Sequence, residues 1–177
     1  MIKVQLDGDN YAKIGKNWVD ENYIIVPTDL CRKLYEQYLE IVDYKTFSFD
    51  DFVDLVLELK ENEFHSKVIS MIKWYLANKL DKEFLALRRL LPILTSSYRS
   101  LNKPETALQL YEKAYHKYGK SIVSAALLTS VAAAYCDVKE YETAKGFCDR
   151  AYAMQGGGKG YATELFLVYK RIEKEKG

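Results

Sequence analysis

The chain has only three cysteines, Cys31, Cys136 and Cys148, widely spaced and with no CxxC pair. Such an odd, dispersed set supports neither a disulfide framework nor a zinc site, so reduced and mostly packed thiols are expected. The two histidines, His65 and His116, lie far apart, with no HExxH motif and no Cys-His pairing, which leaves metal and nucleophilic chemistry without an anchor. Both are expected on helix surfaces. No stretch of about 18 apolar residues occurs, so no membrane span is expected. Met1 to Tyr11 carries charges and a turn cluster where a signal peptide needs an apolar run, and a cytoplasmic location follows as the expectation. A net charge of +1 supplies no overall field to attract nucleic acid or a membrane.

What is present is core material. With 49% hydrophobic and 29% charged residues over 177 positions, the chain is long enough for one or two compact units, and disorder is not expected. Tyrosine dominates an aromatic share of 14%, which suits helices buried except for a polar tip. Charge is divided unevenly: Met1 to Lys60 holds seven Lys and Arg against twelve Asp and Glu, a net −5, and the remaining 19 against 13 leave +6. Docking of the two parts on each other is one reading of this asymmetry, and an anion-binding C-terminal surface is the other.

Alternation of Ile2, Val4 and Leu6 with Lys3 and Gln5, then the turn residues Asp7 to Asn10 and an extended Tyr11 to Ile14, predicts a β-hairpin. Gly15 to Asn17 form a second turn before Trp18 and Val19, and Tyr23 to Val26 is again rich in β-branched residues, so two to four short strands are expected. Thr28 is the candidate N-cap of a first helix keeping Leu30, Leu34, Tyr38, Ile41 and Val42 at helical spacing. Ser48 and Asp51 open a second helix, with Phe49, Phe52, Val53, Val56 and Leu57 on one stripe. Glu63 to about Lys79 is a third, carrying Phe64, Val68, Met71, Ile72 and Tyr75. A fourth, capped by Asp81, runs through Phe84, Leu87, Leu90, Leu91 and Leu94 toward Tyr98, with Pro92 expected to kink it near Arg88.

Placing Tyr98 on Tyr135 gives an offset of 37 residues at which Glu105, Thr106 and Ala107 fall on Glu142, Thr143 and Ala144. Ala114 and Tyr115 then fall on Ala151 and Tyr152. A self-match of this period is the signature of stacked supersecondary units. These residues resemble the tetratricopeptide repeat, in which a bulky residue late in the first helix packs on small residues of the second. Tyr98 and Tyr135 take the bulky positions, Ala107, Ala114, Ala144 and Ala151 the small ones, and Tyr111 and Cys148 the slot between each alanine pair. Asn102 and Lys139 stand in place of the family's turn glycine, and Gly119 and Gly156 in place of its terminal proline. An earlier, degenerate copy lays Phe64, Met71 and Tyr75 on Tyr141, Cys148 and Tyr152 at an offset of 77, with Lys67 opposite Ala144.

The resemblance implies a mainly α fold: a tetratricopeptide-like right-handed α-α superhelix with a small N-terminal β-hairpin element. Residues 1–27 form the β element, 28–80 a helical segment packing on the solenoid, and 81–177 the helical hairpins closed by a C-terminal capping helix from about Lys159 to Glu175. Function is then expected to be protein–protein interaction, as an adaptor or assembly subunit, with no catalysis and no cofactor. The partner is a protein or peptide, a second copy of the chain included. The alternative is a nucleic acid or phosphate ligand held by Lys67, Lys73, Arg88, Arg89, Arg99 and Lys103.

Residues 121–137 are apolar all round, so that helix is expected to be covered on every side, by residues 1–60 or by a partner. In a two-helix solenoid, its groove face carries Ala126, Thr129, Ser130, Ala133 and Cys136. Arg89, Ser96 and Arg99 on one side and Thr163, Phe166 and Lys170 on the other complete the expected partner-binding groove, whose rim pairs with carboxylates or phosphates. Family members that grip a C-terminal carboxylate use lysines and asparagines along the groove, where this chain has Pro92, Ser96, Thr129 and Ala133, so the resemblance does not extend to that activity. The run Gly156, Gly157, Gly158, Lys159 and Gly160 lacks the P-loop pattern and reads as a helix C-cap and turn. Asp50, Asp51 and Asp54 complement a helix dipole. Trp18 and Tyr23 pack a small sheet or offer an aromatic platform.

Overall fold

Asp7 and Gly8 both hold positive φ, 55° and 94°, the conformation that a two-residue hairpin turn requires. They join β1 (Ile2–Leu6) to β2 (Asp9–Ile14) in antiparallel register, with Leu6 opposite Asp9 and Val4 opposite Tyr11. Gly15 at φ 57° turns the chain into β3 (Asn17–Val19), giving a three-stranded sheet in the order β1-β2-β3, and Ile25 adds a single bridge to Val19. The computed structural model describes residues 1–79, 83–155 and 163–176. Two compact units divide the chain, Met1–Phe64 and His65–Gly177.

In the first unit the sheet is followed by α1 (Thr28–Ile41), a 3-10 turn at Tyr44–Thr46 and α2 (Phe49–Glu61). Pro27, not Thr28, is the N-cap: it keeps the extended conformation natural to proline, while Thr28 is already the first helical residue. The buried face of α1 is Leu34, Tyr35 and Tyr38, whereas Ile41 is 63% exposed. Trp18, fully buried, explains that choice, because it packs edge-on against Tyr35 and Tyr38 at ring separations of 5.6 and 6.0 Å. The Ser48 N-cap forms as expected: Ser48 Oγ accepts from the Asp51 amide at 3.2 Å and donates to Asp51 Oδ2 at 2.6 Å. Leu57 faces solvent and Leu55 and Leu59 are buried in its stead.

The second unit is wholly helical among its described residues: α3 (His65–Asn78), α4 (Glu83–Ser100), α5 (Pro104–Tyr118), α6 (Ala125–Asp137), α7 (Tyr141–Met154) and α8 (Thr163–Lys176). Asp81, the expected cap of α4, lies outside the described residues. Helix α4 continues through Pro92 without ending there. Three-residue turns join α4 to α5 and α6 to α7, so each pair runs antiparallel. Helix α6 packs against α4, α5, α7 and α8. Four neighbours from its own unit thus cover much of this apolar helix, while Ala126 stays exposed.

The 37-residue repeat is visible in the backbone bond by bond. At the first turn the amides of Leu101, Asn102 and Lys103 donate to Ser97, Arg99 and Tyr98; at the second, those of Val138, Lys139 and Glu140 donate to Ala134, Cys136 and Tyr135. The bonds from Lys103 to Tyr98 and from Glu140 to Tyr135, both 2.9 Å, are the six-to-one closure of a Schellman motif. Asn102 and Lys139 take the left-handed position, φ 57° and 65°, a conformation that favours glycine. Lys139→Gly is therefore expected to stabilise the protein by about 0.5–1 kcal/mol, with a smaller gain for Asn102→Gly because asparagine tolerates this conformation. Urea denaturation of the single variants measures both.

A third copy of the turn follows α2, with Phe64 N donating to Leu59 O at 2.9 Å and Glu63 at φ 65°. This moves the degenerate register from 77 to 76. Fully buried Val68, in place of Lys67, then corresponds to Ala144.

Candidate functional site

Consecutive hairpins expose a seam at their turn ends, and in the second unit that seam opens into a cleft of about 590 Å³. Its walls are repeat-equivalent: Arg99 with Cys136, Ser100 with Asp137, Asn102 with Lys139, and Pro104 with Tyr141 each line it and stand 37 residues apart. Glu105 and Arg171, the latter from α8, complete the lining. The cleft thus arises from stacking one hairpin on the next.

Asp137 organises the charge. Arg99 Nε donates to its Oδ2 at 2.6 Å and Arg99 Nη2 reaches Oδ1 at 3.4 Å, while Arg171 Nη2 donates to Oδ1 at 2.8 Å. One carboxylate is therefore shared by two guanidiniums, and the cleft holds three cations, Arg99, Lys139 and Arg171, against two anions, Asp137 and Glu105. Arg171 remains well exposed, at 44% of its side chain. Helix α8 is held in position by a second tie, since Asp149 on α7 accepts from Lys145 at 2.9 Å and from Tyr169 on α8 at 2.7 Å, contacts that lower its pKa in that order. The first turns of α5 and α7 face the same cleft, and neither N-cap, Lys103 nor Glu140, satisfies a free amide with its side chain. Their dipoles favour negative charge there.

The sequence-predicted groove residues scatter in exposure. Arg89, Ala126, Thr163, Phe166 and Lys170 are exposed and Ser96 is half-buried, whereas Thr129, Ser130, Ala133 and Cys136 are buried. Ser130 lies under α4, its hydroxyl 2.8 Å from that of Thr95. Of the set, Arg99 and Cys136 share the seam cleft. Lys170 stacks over the Phe166 ring at 4.6 Å on α8. Asp137 and Arg171 were not singled out in the sequence, although carrying Ser100 forward by one repeat lands on Asp137, and Lys139 was marked only as a turn position. Trp18 and Tyr23 do not form a platform: Trp18 is core and Tyr23 is 68% exposed.

His116 is exposed and His65 half-buried. Among the described residues no group of three His, Cys, Asp or Glu side chains is placed to hold a metal, and no described helix is long and apolar enough to cross a membrane. The run of glycines from Gly156 to Gly160 lies outside the described residues. Burial raises the Cys136 thiol, partly offset by Arg171 and Arg99, and pushes that of Cys148 up to about 12. Since the thiolate is the reactive form, both are expected to resist a maleimide at pH 8 in the native state, with half-buried Cys31 labelled first. Peptide mass mapping after native and denatured labelling checks this order. A scan against protein-family models finds no match to the chain, and searches of curated proteins and of solved structures find none either.

Proposed function

We propose that the second unit is a protein-interaction module, a tetratricopeptide-like stack of helical hairpins that works as an adaptor or assembly subunit. The observation that supports it is the repetition of the α4–α5 turn at α6–α7, hydrogen bond for hydrogen bond, with α4, α6 and α8 packed in succession. Stacking of this kind generates a binding face from corresponding positions of neighbouring units. Ala126, Phe166 and Lys170 are its exposed members on α6 and α8, and Arg89, Ser96 and Arg99 those of α4 that retain some exposure.

Affinity capture from a native lysate tests the proposal, using the full chain and the double variant Ala126→Arg, Phe166→Asp. Both sites are exposed, so the fold should survive, as circular dichroism verifies. A specific partner is expected with the wild type and should be lost with the variant. Recovery of the same proteins at the same levels would reject this face. The nucleic-acid or phosphate reading is separated by salt, since a phosphate-driven complex weakens steeply as salt rises.

A further inference from the structure

From the seam cleft we propose a second, distinct binding site: a receptor for the carboxylate side chains of an acidic peptide segment. The source of those carboxylates, a protein, rests on the reading above; their recognition does not.

Three features of the cleft converge on an anion. Arg99, Lys139 and Arg171 outnumber Asp137 and Glu105, leaving one positive charge in excess. Lys139 is exposed at the left-handed turn position, and the guanidinium of Arg171 has N–H donors beyond the one given to Asp137. Two helix N-termini without side-chain caps open onto the same space.

The geometry then selects among anions. Asp137 already shows how a carboxylate fits between the two arginines, receiving the fork of one and a single bond from the other. Asp137 and Glu105 lie among the cations of the lining, which favours a ligand that spreads its charge over several separate carboxylates above one concentrated dianion. At about 590 Å³ the cleft also has room for several side chains of an extended peptide. An incoming carboxylate would take the remaining donors of Arg171 and the ammonium of Lys139, with Asp137 still fixing Arg99. Because the walls come from equivalent positions on two hairpins, the peptide would read the stacking of the hairpins as well as their charge.

Calorimetric titration of the full chain with an acetylated, amidated hexapeptide of alternating Glu and Ser tests this, with the Gln-for-Glu peptide as control and inorganic phosphate as a separate arm. Binding of the acidic peptide alone is expected, weakening with salt and at least tenfold in Arg171→Gln and in Lys139→Gln, both exposed positions. Arg171→Lys, which keeps the charge and loses the fork, should fall between Arg171→Gln and the wild type. Absence of binding at millimolar peptide, equal binding of the Gln peptide, affinity unchanged in both Gln variants, or binding of phosphate but not peptide would each overturn the proposal. The capture experiment fails or succeeds independently: a partner lost with Ala126→Arg, Phe166→Asp alongside an inert hexapeptide removes only the carboxylate site, and the converse removes only the proposed groove.

Discussion

Glu58→Ala is expected to cost the first unit about 3–5 kcal/mol, because it removes the acceptor that two side chains share in a nearly closed space. Glu58 Oε2 receives Lys13 Nζ at 2.8 Å and the Tyr35 hydroxyl at 2.9 Å, and the Lys13 and Glu58 side chains are only 11% and 15% exposed. One carboxylate therefore ties β2, α1 and α2 together, and Lys13 reaches on to the Gly15 carbonyl at 2.6 Å. Glu58→Gln keeps an acceptor for the hydroxyl and gives up the charge, so a smaller loss of about 1.5–3 kcal/mol is expected. Denaturant unfolding of the full chain, with hydrogen exchange at the β2 and α1 amides to locate the effect, separates the two. Equal stability of Glu58→Ala and wild type would show that the network contributes nothing.

The same contact sets a pH dependence. Burial, then the Glu58 charge, raises the Tyr35 pKa strongly above its ordinary value of 10.0. The folded state therefore holds the proton more tightly than the unfolded one. That stability is fully present below about pH 10 and is lost as pH rises from there toward the folded value. Tyr35→Phe should flatten this alkaline limb.

These contacts mark the limit of what the sequence discloses. The β-hairpin was legible because Ile2, Val4 and Leu6 alternate and Asp7-Gly8 supplies two positive φ values. Tyr98 and Tyr135 were legible as partners because Glu105, Thr106 and Ala107 recur as Glu142, Thr143 and Ala144 at the same offset, and the same turn closes on the carbonyl of each. The face of α1 was misplaced by apolarity: Ile41 reads as core and is exposed, while Tyr35 is buried through contacts with Trp18, a residue 17 positions earlier. Lys13 and Glu58 are 45 positions apart, and neither has a local pattern that names the other. Arg171 is likewise 34 residues from Asp137, so periodicity could mark the turn positions of the seam and not the arginine that α8 brings to them.

Ala144→Leu carries the second large effect and tests the repeat itself. Ala144 is fully buried on α7 and Ala107, its counterpart on α5, is 1% exposed. Ala144 lies in the core around α6 that also holds Tyr111 and Cys148, and α5 packs on α4 as α7 packs on α6, so both alanines are buried where the two helices of a hairpin meet. Replacing the methyl by an isobutyl group must push side chains off their rotamers or separate the helices, a cost of about 1–3 kcal/mol. If the two hairpins are equivalent units, Ala107→Leu should cost a similar amount, and Thr143→Leu, one residue away on the exposed face of α7, should stay within about 0.5 kcal/mol of wild type. Urea midpoints of the three variants compare these directly. A tolerated leucine at both alanines would mean that close approach of the helices is not what the alanines serve, and the equivalence drawn from the 37-residue register would then describe the turns alone.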